Sequence, residues 1–414
     1  MQKFERILVF ILLLLATGAG QAFLADPDAL SPGAGQPLTE AAFALFYLAL
    51  ILLLVKYRST SFRLLLSERW LAVICVWALA SVAWSVGPGE SLRRALALIG
   101  TTLAGLYLGL RFEPKQQLKM IAYAIGLGAI ASLLVILAIP SVGITPDGMQ
   151  GVYNLKNSLG RMMSLGVLSF ALLTLGQRRH RGMHAVMFLL CGTLLVLSRS
   201  ATAIVVTMLL LALLPFRKLL YLRTRQLLAT TAIMIPLMAV ITIWAVESSE
   251  EILQYLGRNA TLSGRIPLWD LVLKSIADRP ILGYGFTAFW NSWPGERVSD
   301  AANWDHAVPH AHNGFLEVWL GLGIVGLAIL LISLARNFVF ALRLARSRRE
   351  MEFSWPLLLV IFTALYNLTE NSFLVVNSTA WIAYCAASYW LAATAREEVA
   401  ARQEQPDAEP AFSS

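Results

Sequence analysis

Apolar runs of about 20 residues recur along almost the whole chain, and this feature most limits how it can fold. A run of that length crosses the roughly 30 Å hydrocarbon core of a bilayer as an α-helix. Hydrophobic residues make up 57% of the sequence and charged residues only 14%, whereas soluble domains are nearer a quarter charged. The runs are continuous rather than alternating, which argues against a transmembrane β-barrel. The sequence therefore predicts an all-α polytopic membrane protein.

Twelve runs are predicted to be transmembrane helices, and they divide the chain into four regions. Spans one to nine occupy residues 1–246, and a large loop with amphipathic helices follows at 247–312. Spans ten to twelve occupy 313–394, and the polar tail at 395–414 is predicted to be disordered. The predicted spans are 7–24, 38–55, 70–86, 92–110, 119–139, 159–176, 184–198, 200–215, 227–246, 313–334, 355–370 and 374–394.

The distribution of basic residues predicts the orientation in the membrane. The segment 184–215 is flanked by "QRRHRG" and "FRKLLYLRTR", which the positive-inside rule places together in the cytoplasm. Two crossings are then required, so this segment is predicted to be two short helices that turn back around "SRSAT". Applied to the other short connections, the rule places both termini in the cytoplasm and the 247–312 loop outside. The net charge of +8 reflects this topology, so no nucleic acid partner is implied.

The loop at 247–312 is predicted to hold two helices. The first begins at a capping-box pattern, Ser248-x-x-Glu251. The second covers "SGRIPLWDLVLKSIADRP" and ends before Pro280, because the residue before a proline is restricted. Its predicted apolar face, which would lie along the membrane interface, comprises Ile266, Trp269, Val272, Leu273 and Ile276.

Several cations fall on the predicted outer face, where the positive-inside rule disfavours them. They are Lys156 and Arg161 in "NLKNSLGR", Arg199 in "SRSAT" and Arg265 in "SGR". None has an obvious acidic partner nearby in the sequence, and a cation near hydrocarbon is costly unless it faces a partner or a wet cavity. A single one of them would simply reach the lipid headgroups. Together they indicate a phosphate-binding site, because the planar guanidinium donates two parallel hydrogen bonds.

Three of the five histidines lie in "WDHAVPHAHNGF", directly before the tenth predicted span. His306 and His310 have a spacing of four that suits a metal, but Pro309 disfavours a helix joining them and no HExxH-type carboxylate is present. A second interpretation is a structural cap for the span. The third is a general base, because a histidine beside several cations stays neutral. The outer segments also lack a D-x-D motif, so no metal or other cofactor is predicted.

These motifs together resemble the O-antigen ligase family, in the superfamily that also contains O-antigen polymerases and some protein O-oligosaccharyltransferases. "SRSAT" and "SGR" resemble the arginine motifs of the superfamily, and Leu327 stands where some ligases have threonine. The family pattern of His, then Asn, Ser or Gln, nine residues and G-x-x-G is met by His312, Asn313, Gly323 and Gly326, and R-x-x-x-L by Arg161 and Leu165.

The resemblance implies a glycosyltransferase that works without metal or ATP. The donor would be O-antigen polysaccharide on undecaprenyl diphosphate, and the acceptor lipid A–core, at the periplasmic face of a Gram-negative inner membrane. His312 and Arg265 are predicted to be catalytic, with His312 activating the acceptor. The predicted diphosphate ligands are Arg161, Arg265, Arg199, Lys156 and His310. Asn313 and Asn157 are expected to position the acceptor or the loop.

Other functions fit parts of the same pattern. A polymerase would use the same donor with a growing glycan as acceptor, and the His-Asn-G-x-x-G spacing favours a ligase over it. An oligosaccharyltransferase would need room for a polypeptide acceptor. A transporter of an anionic lipid would place its polar residues near the middle of the membrane and show repeats or broken helices, whereas here they concentrate at one face.

Overall fold

The structure, a computed structural model, describes residues 2–24, 37–215, 224–255, 265–302 and 308–404. These residues are predominantly helical, as the sequence predicts. The helices are α1 (Gln2–Ala16), α2 (Gln21–Leu24), α3 (Pro37–Lys56), α4 (Arg58–Ser67), α5 (Arg69–Ala80), α6 (Pro88–Arg111), α7 (Pro114–Ala138), α8 (Pro140–Gly143), α9 (Lys156–Gly176), α10 (Arg181–Leu197), α11 (Ala201–Leu213), α12 (Thr224–Tyr255), α13 (Arg265–Asp278), α14 (Trp293–Ala301), α15 (Gly314–Ser347), α16 (Trp355–Tyr366) and α17 (Thr379–Glu404).

Two 3-10 helices and one short β-hairpin also occur among the described residues. Two 3-10 helices, Ser81–Trp84 and Met351–Ser354, follow α5 and precede α16. An antiparallel hairpin joins β1 (Ile144–Thr145) to β2 (Gly148–Met149), with Ile144 opposite Met149. The hairpin lies between α8 and α9, so it approaches the start of α9, where the predicted cations are.

Four helices of the described part, α3, α7, α9 and α15, are long and apolar enough to cross a membrane by themselves. The pair of α4 and α5 would make a fifth, although it is bent by 87°. Shorter apolar helices include α10 and α11. The protein is therefore a multi-pass helical membrane protein. Each of the twelve predicted spans overlaps at least one helix of the described residues, but the number of crossings and their orientation stay predictions.

The segment around "SRSAT" consists of two short helices separated by a break, as predicted, and whether they form two crossings stays a prediction. Helix α10 ends at Leu197 and α11 begins at Ala201, so the break falls on Ser198 to Ser200. Arg199 has a left-handed φ of 51°, which few residues other than glycine adopt. Helix α10 packs along α9. The turn thereby comes close to the N-terminal end of α9.

The structure corrects two details of the predicted loop. The helix expected to begin at Ser248 is wrong, because α12 continues from Thr224 to Tyr255 without interruption. No glycine or proline separates Ser248 from the apolar run before it, and the glutamates that follow are good helix formers. The residues that follow α12, at 256–264, lie outside the described ranges.

Helix α13 is present with the predicted end, but its buried face differs. It covers Arg265–Asp278, and the side chains of Ile266 and Leu273 are exposed by 58% and 46%. The buried positions are Leu268, Val272 and Ile276, which pack with Leu320 of α15 and with the residues before it. Contact with α15 therefore determines which face of α13 is buried. The hydrophobic pattern of the sequence alone did not reveal this face.

The C-terminal region also differs from the prediction. Residues 374–378 are irregular, and α17 begins only at Thr379. The helix then runs to Glu404, so the prediction that disorder begins at 395 is wrong for 395–404, whereas 405–414 lie outside the described residues. The sequence "AREEVAARQE" consists mostly of strong helix formers, and adding them to an existing helix avoids the nucleation cost.

The core contains the middle of α9 and α17 together with α7 and α16. Many of their side chains are almost completely inaccessible, among them Phe170, Trp381 and Tyr384. All three cysteines, Cys75, Cys191 and Cys385, are buried and unpaired, which agrees with small apolar side chains inside a helical bundle.

Helix α15 is broken at Gly323, the first glycine of the G-x-x-G pattern. The backbone there has φ 68° and ψ −176°, which is not helical. The segment after α13 occupies the gap: Tyr284 N donates to Leu320 O and Gly285 N to Gly321 O, both at 2.9 Å. Backbone carbonyls freed by the break thus regain partners, as buried polar groups require. This interlock holds the α13 region against α15.

We expect Gly323→Ala to destabilise the protein by at least about 1 kcal/mol, because alanine disfavours this φ. The added Cβ would also lie 1.9 Å from the Ile281 carbonyl oxygen. Thermal unfolding in detergent should show a clear decrease in Tm. Gly321→Ala is the matched control, since its Cβ would meet nothing closer than 3.4 Å. Equal Tm values for the two variants would contradict the close approach.

Candidate active site

The turn before α15 and the irregular segment after α16 are joined by hydrogen bonds. Asn313 caps α15, because its Oδ1 accepts from Phe315 N at 3.0 Å and Leu316 N at 3.1 Å. Its Nδ2 donates to Leu368 O at 3.0 Å, and Gly314 N donates to Asn367 O at 2.8 Å. The predicted positioning residue Asn313 therefore connects the histidine turn to the 367–378 segment.

Glu370, in that segment, is the centre of the site, and no sequence motif had indicated it. It is only 4% exposed, and its Oε1 accepts from Arg265 Nη2 at 2.9 Å and from Asn157 Nδ2 at 3.0 Å. Arg265 has no obvious acidic partner nearby in the sequence, and the structure provides one from a distant segment. Its partner is 105 residues away in sequence. An acidic residue at the end of the eleventh predicted span, in "YNLTENS", was the available signal.

The charge state of Glu370 follows from its neighbours. Burial alone would raise the pKa of its carboxyl, but Arg265, and then His312, lower the pKa to about 2. Glu370 therefore remains a carboxylate at neutral pH. Because the folded-state pKa lies below the unfolded value, its stabilising contribution is present above about pH 4 and is lost as the pH falls towards 2.

His312 lies against this carboxylate in a strained turn. Its Nδ1 is 3.6 Å from Glu370 Oε2, slightly beyond hydrogen-bond distance. Its φ of 48° is left-handed, a conformation that persists only where the surroundings enforce it. Such strain is common at functional sites. The geometry resembles the acid–histidine pairs in which a carboxylate orients an imidazole.

His310 packs beside His312, with ring centroids 4.2 Å apart. Its Nδ1 accepts a hydrogen bond from His312 N at 3.1 Å, so the ring proton is on Nε2. Burial, and then the neighbouring His312, lower the pKa of His310 to about 3. His310 is therefore neutral at neutral pH and can contribute a hydrogen bond but no charge. His306 lies outside the described residues.

The turn that carries both histidines is anchored from two sides. Ala311, between them, donates its N–H to Glu317 Oε2 at 2.8 Å and accepts at its carbonyl from Trp269 Nε1 at 2.9 Å. Glu317 also accepts from Trp290 Nε1 at 3.0 Å. These bonds connect the turn to α13 and α15, and they explain how the strained backbone of His312 is held.

Arg161 approaches the same segment from α9. Its Nη1 donates to Asn371 O at 3.3 Å. Its Nε is buried and has no hydrogen-bond partner within the described part of the chain. A buried guanidinium N–H without a partner is costly, and an anion would satisfy it. Arg161 and Arg265 both act electrostatically on His310, so the two guanidinium groups border one site.

Lys156 and Arg199 lie at the margin of the cluster. Lys156 Nζ donates to Asp147 O, in the turn of the β-hairpin, at 3.3 Å, and its charge interacts with those of Arg199 and Glu370. Arg199 is exposed. The "SRSAT" motif reaches the cluster instead through Thr202, whose Oγ1 is 3.5 Å from Arg265 Nη1.

His310, His312 and Glu370 place three potential metal-ligand atoms within 4.8 Å of one another. The donor set does not fit a metal well, however. His310 Nδ1 already accepts from a backbone N–H, and Glu370 already accepts from Arg265 and Asn157. The neighbouring guanidinium groups would also repel a cation. These contacts fit an anion site better than a metal centre.

Fold and site together define a multi-pass membrane protein with a cationic, histidine-containing site at one end of its helices. Residues 184–331 match the Wzy_C family, described as O-antigen ligase. The matched range includes "SRSAT", "SGR" and the His-Asn-G-x-x-G pattern. Over these residues the chain is similar to the O-antigen ligase superfamily, as its motifs predicted.

Two proteins similar to this chain indicate the class of reaction. The exopolysaccharide production protein ExoQ of Rhizobium meliloti (strain 1021) is 28% identical over 329 residues, 75% of this chain and 73% of ExoQ. A Rickettsia typhi protein provisionally named a polysaccharide ligase is 35% identical over 81 residues, which is 19% of this chain and 20% of that protein. These similarities support an enzyme of the polysaccharide ligase or polymerase type.

The Arg265–Glu370 pair predicts strong energetic coupling. Glu370→Gln and Arg265→Gln should each destabilise the protein, since removing one partner leaves a buried charge uncompensated. The double variant should be less destabilised than the sum of the singles by about 1–3 kcal/mol in denaturant unfolding. The exposed pair Glu40–Arg93 is the control, with coupling below about 1 kcal/mol. Additive effects at Arg265 and Glu370 would contradict the pairing.

Proposed function

We propose that this protein transfers O-antigen polysaccharide from undecaprenyl diphosphate to lipid A–core at the periplasmic face of the Gram-negative inner membrane, with both termini in the cytoplasm. The observation that carries the proposal is the grouping of Arg161, Arg265, His310 and His312 around Glu370. Similarity to the O-antigen ligase superfamily supports a donor of this kind. The reaction would use no metal and no other cofactor.

The arginines would bind the diphosphate. Arg161 offers a buried Nε–H that has no partner among the described residues. Arg265 is held by Glu370 but has a second Nη that is only loosely engaged, 3.5 Å from Thr202. Lys156 and Arg199 would attract the anion at the margin. When the sugar–phosphate bond breaks, negative charge develops on the leaving diphosphate, and these donors would stabilise it in the transition state.

His312 would act as the general base. With Nδ1 beside Glu370, the favoured tautomer keeps the proton on Nδ1 and leaves the Nε2 lone pair for the acceptor. The acceptor hydroxyl would give its proton to Nε2 while its oxygen bonds to C1 of the donor sugar. The bond from C1 to the phosphate oxygen breaks, and the lipid diphosphate leaves. Departure from the opposite side would invert the anomeric centre, and Glu370 would stabilise the imidazolium.

A polymerase is the second candidate. It would use the same site, with a growing glycan in place of lipid A–core. The similarity to ExoQ, named for exopolysaccharide production, favours this alternative over a protein oligosaccharyltransferase. A transporter fits less well, because the polar cluster gathers at helix ends rather than along the middle of the bundle.

Deleting the gene and examining lipopolysaccharide tests the proposal. Loss of a ligase should leave lipid A–core bare while lipid-linked polymer accumulates. Loss of a polymerase should leave single repeat units attached to the core. The wild-type gene should restore the original pattern. Unchanged lipopolysaccharide would contradict both functions.

Arg161→Ala should abolish transfer because donor binding loses its cation. Arg161→Lys should lower donor affinity by at least about tenfold, because an ammonium cannot reproduce the planar donor geometry at Nε. Donor binding to purified protein checks this. Arg297→Lys, at an exposed arginine that stacks on Trp293, is the control and should bind donor normally. Full affinity in Arg161→Lys would show that simple charge suffices.

His312→Ala should lower the single-turnover rate by roughly 10²–10⁴-fold while donor affinity remains. His310→Ala should be milder, because His310 is neutral and contributes no charge. Both rates are measured with purified donor and acceptor, and excess EDTA should leave the wild-type rate unchanged. A parallel loss of donor affinity in His312→Ala would make His312 a phosphate ligand. Loss of wild-type activity in EDTA, restored by one divalent ion, would favour a metal at the histidines.

A further inference from the structure

We propose that a cavity between α15, α17 and the bend from α4 to α5 binds the phosphate headgroup of an anionic phospholipid. The cavity has a volume of about 1010 Å³. Its lining includes Arg336, Arg343 and Arg346 from α15 and Arg396 from α17. No residue of the candidate active site lines it. It is therefore a second site, with its own chemistry.

The cavity lies at the opposite end of α15 from the histidines. The helix begins at Gly314, next to the histidine turn, and its last residue is Ser347. At a rise of about 1.5 Å per residue, Arg336 is at most roughly 33 Å from that start, since the helix is broken at Gly323. This distance matches the roughly 30 Å hydrocarbon core of a bilayer. A cavity at this level would face the headgroups of the other leaflet.

The charge of the cavity favours an anion. Its lining contains four arginines and no acidic residue within the described part of the chain. Like charges that share a cavity repel each other, and an anion between them relieves the repulsion. Arginine from two helices provides planar, two-pronged donors that suit phosphate. Basic pockets between transmembrane helices are a known form of anionic lipid recognition.

Arg336 lines the cavity, and its side chain is held in place by contacts with its neighbours. It forms an ion pair with Glu68, which is fully buried at the α4–α5 bend. Ser333 Oγ also donates to Glu68, at 3.2 Å, and the Arg336 guanidinium lies 4.8 Å from the Phe340 ring. The single carboxylate at the bend is thus engaged with Arg336, and Arg343 and Arg396 add positive charge to the lining.

The apolar part of the lining favours a lipid over free phosphate. Phe340, Leu344 and Leu391 lie in the same cavity as the arginines. Leu66, at its edge, is 56% exposed. A phospholipid presents a phosphate next to acyl chains and would cover both kinds of surface, and burying the apolar part adds to its affinity. Inorganic phosphate would cover only the arginines.

The test compares lipid retention in two double variants. Arg343→Ala/Arg396→Ala removes two lining charges, and Arg348→Ala/Arg349→Ala removes two arginines beyond the end of α15 that do not line the cavity. Delipidated protein is titrated with dioleoyl phosphatidylglycerol, and bound lipid is measured by native mass spectrometry. Wild type should retain one lipid tightly. The cavity variant should bind about tenfold more weakly, and the control should match wild type.

Three further results would overturn the proposal. These are equal weakening in both double variants, equal retention of dioleoyl phosphatidylcholine, and displacement of the lipid by millimolar inorganic phosphate. The last result would identify a site for free phosphate. If the alanine variant does not elute as a single species, Arg396→Ala alone repeats the test, because that side chain is exposed. Arg343→Lys/Arg396→Lys should retain lipid with intermediate affinity, since charge remains but the planar geometry is lost.

Discussion

The site depends on one buried carboxylate. Removing a charged carboxylate from water is unfavourable by several kcal/mol, and only partners with good geometry offset this. Glu370 obtains them from Arg265 and Asn157, with His312 adjacent. Arg265 and Asn157 lie at the starts of α13 and α9, and His312 lies in the turn before α15. Charge compensation at Glu370 thus brings separate segments together, and this arrangement also keeps Arg265 fixed beside any bound anion.

The strained turn of His312 illustrates how such a site is supported. A left-handed backbone at a histidine is unfavourable by about 1–3 kcal/mol, and it persists because surrounding bonds leave no alternative. Ala311 is bound on both its N–H and its carbonyl, and Asn313 caps the helix that follows. The rigid turn would hold an imidazole ready for proton transfer without a reorganisation cost at each turnover.

Helix α15 connects the two ends of the molecule. Its start carries the histidine turn, its break at Gly323 receives the segment after α13, and its last turns line the arginine-rich cavity. The G-x-x-G pattern, introduced as a family motif, therefore also has a structural role in this chain. Gly323 lets the backbone of the segment after α13 approach closely enough for its N–H groups to reach carbonyls that a continuous helix would have kept.

The sequence alone determined the helical membrane class and the helix break at "SRSAT", and it named as candidates most of the residues that the structure groups around Glu370, because apolar run length, local breaks and unusual cations are local signals. It could not reveal Glu370 as their partner, since that residue is 105 positions from Arg265 and 213 from Asn157. It also misjudged the buried face of α13 and the continuity of α12 and α17. Only the tertiary structure decided these features, because burial and charge pairing depend on which distant segments pack together.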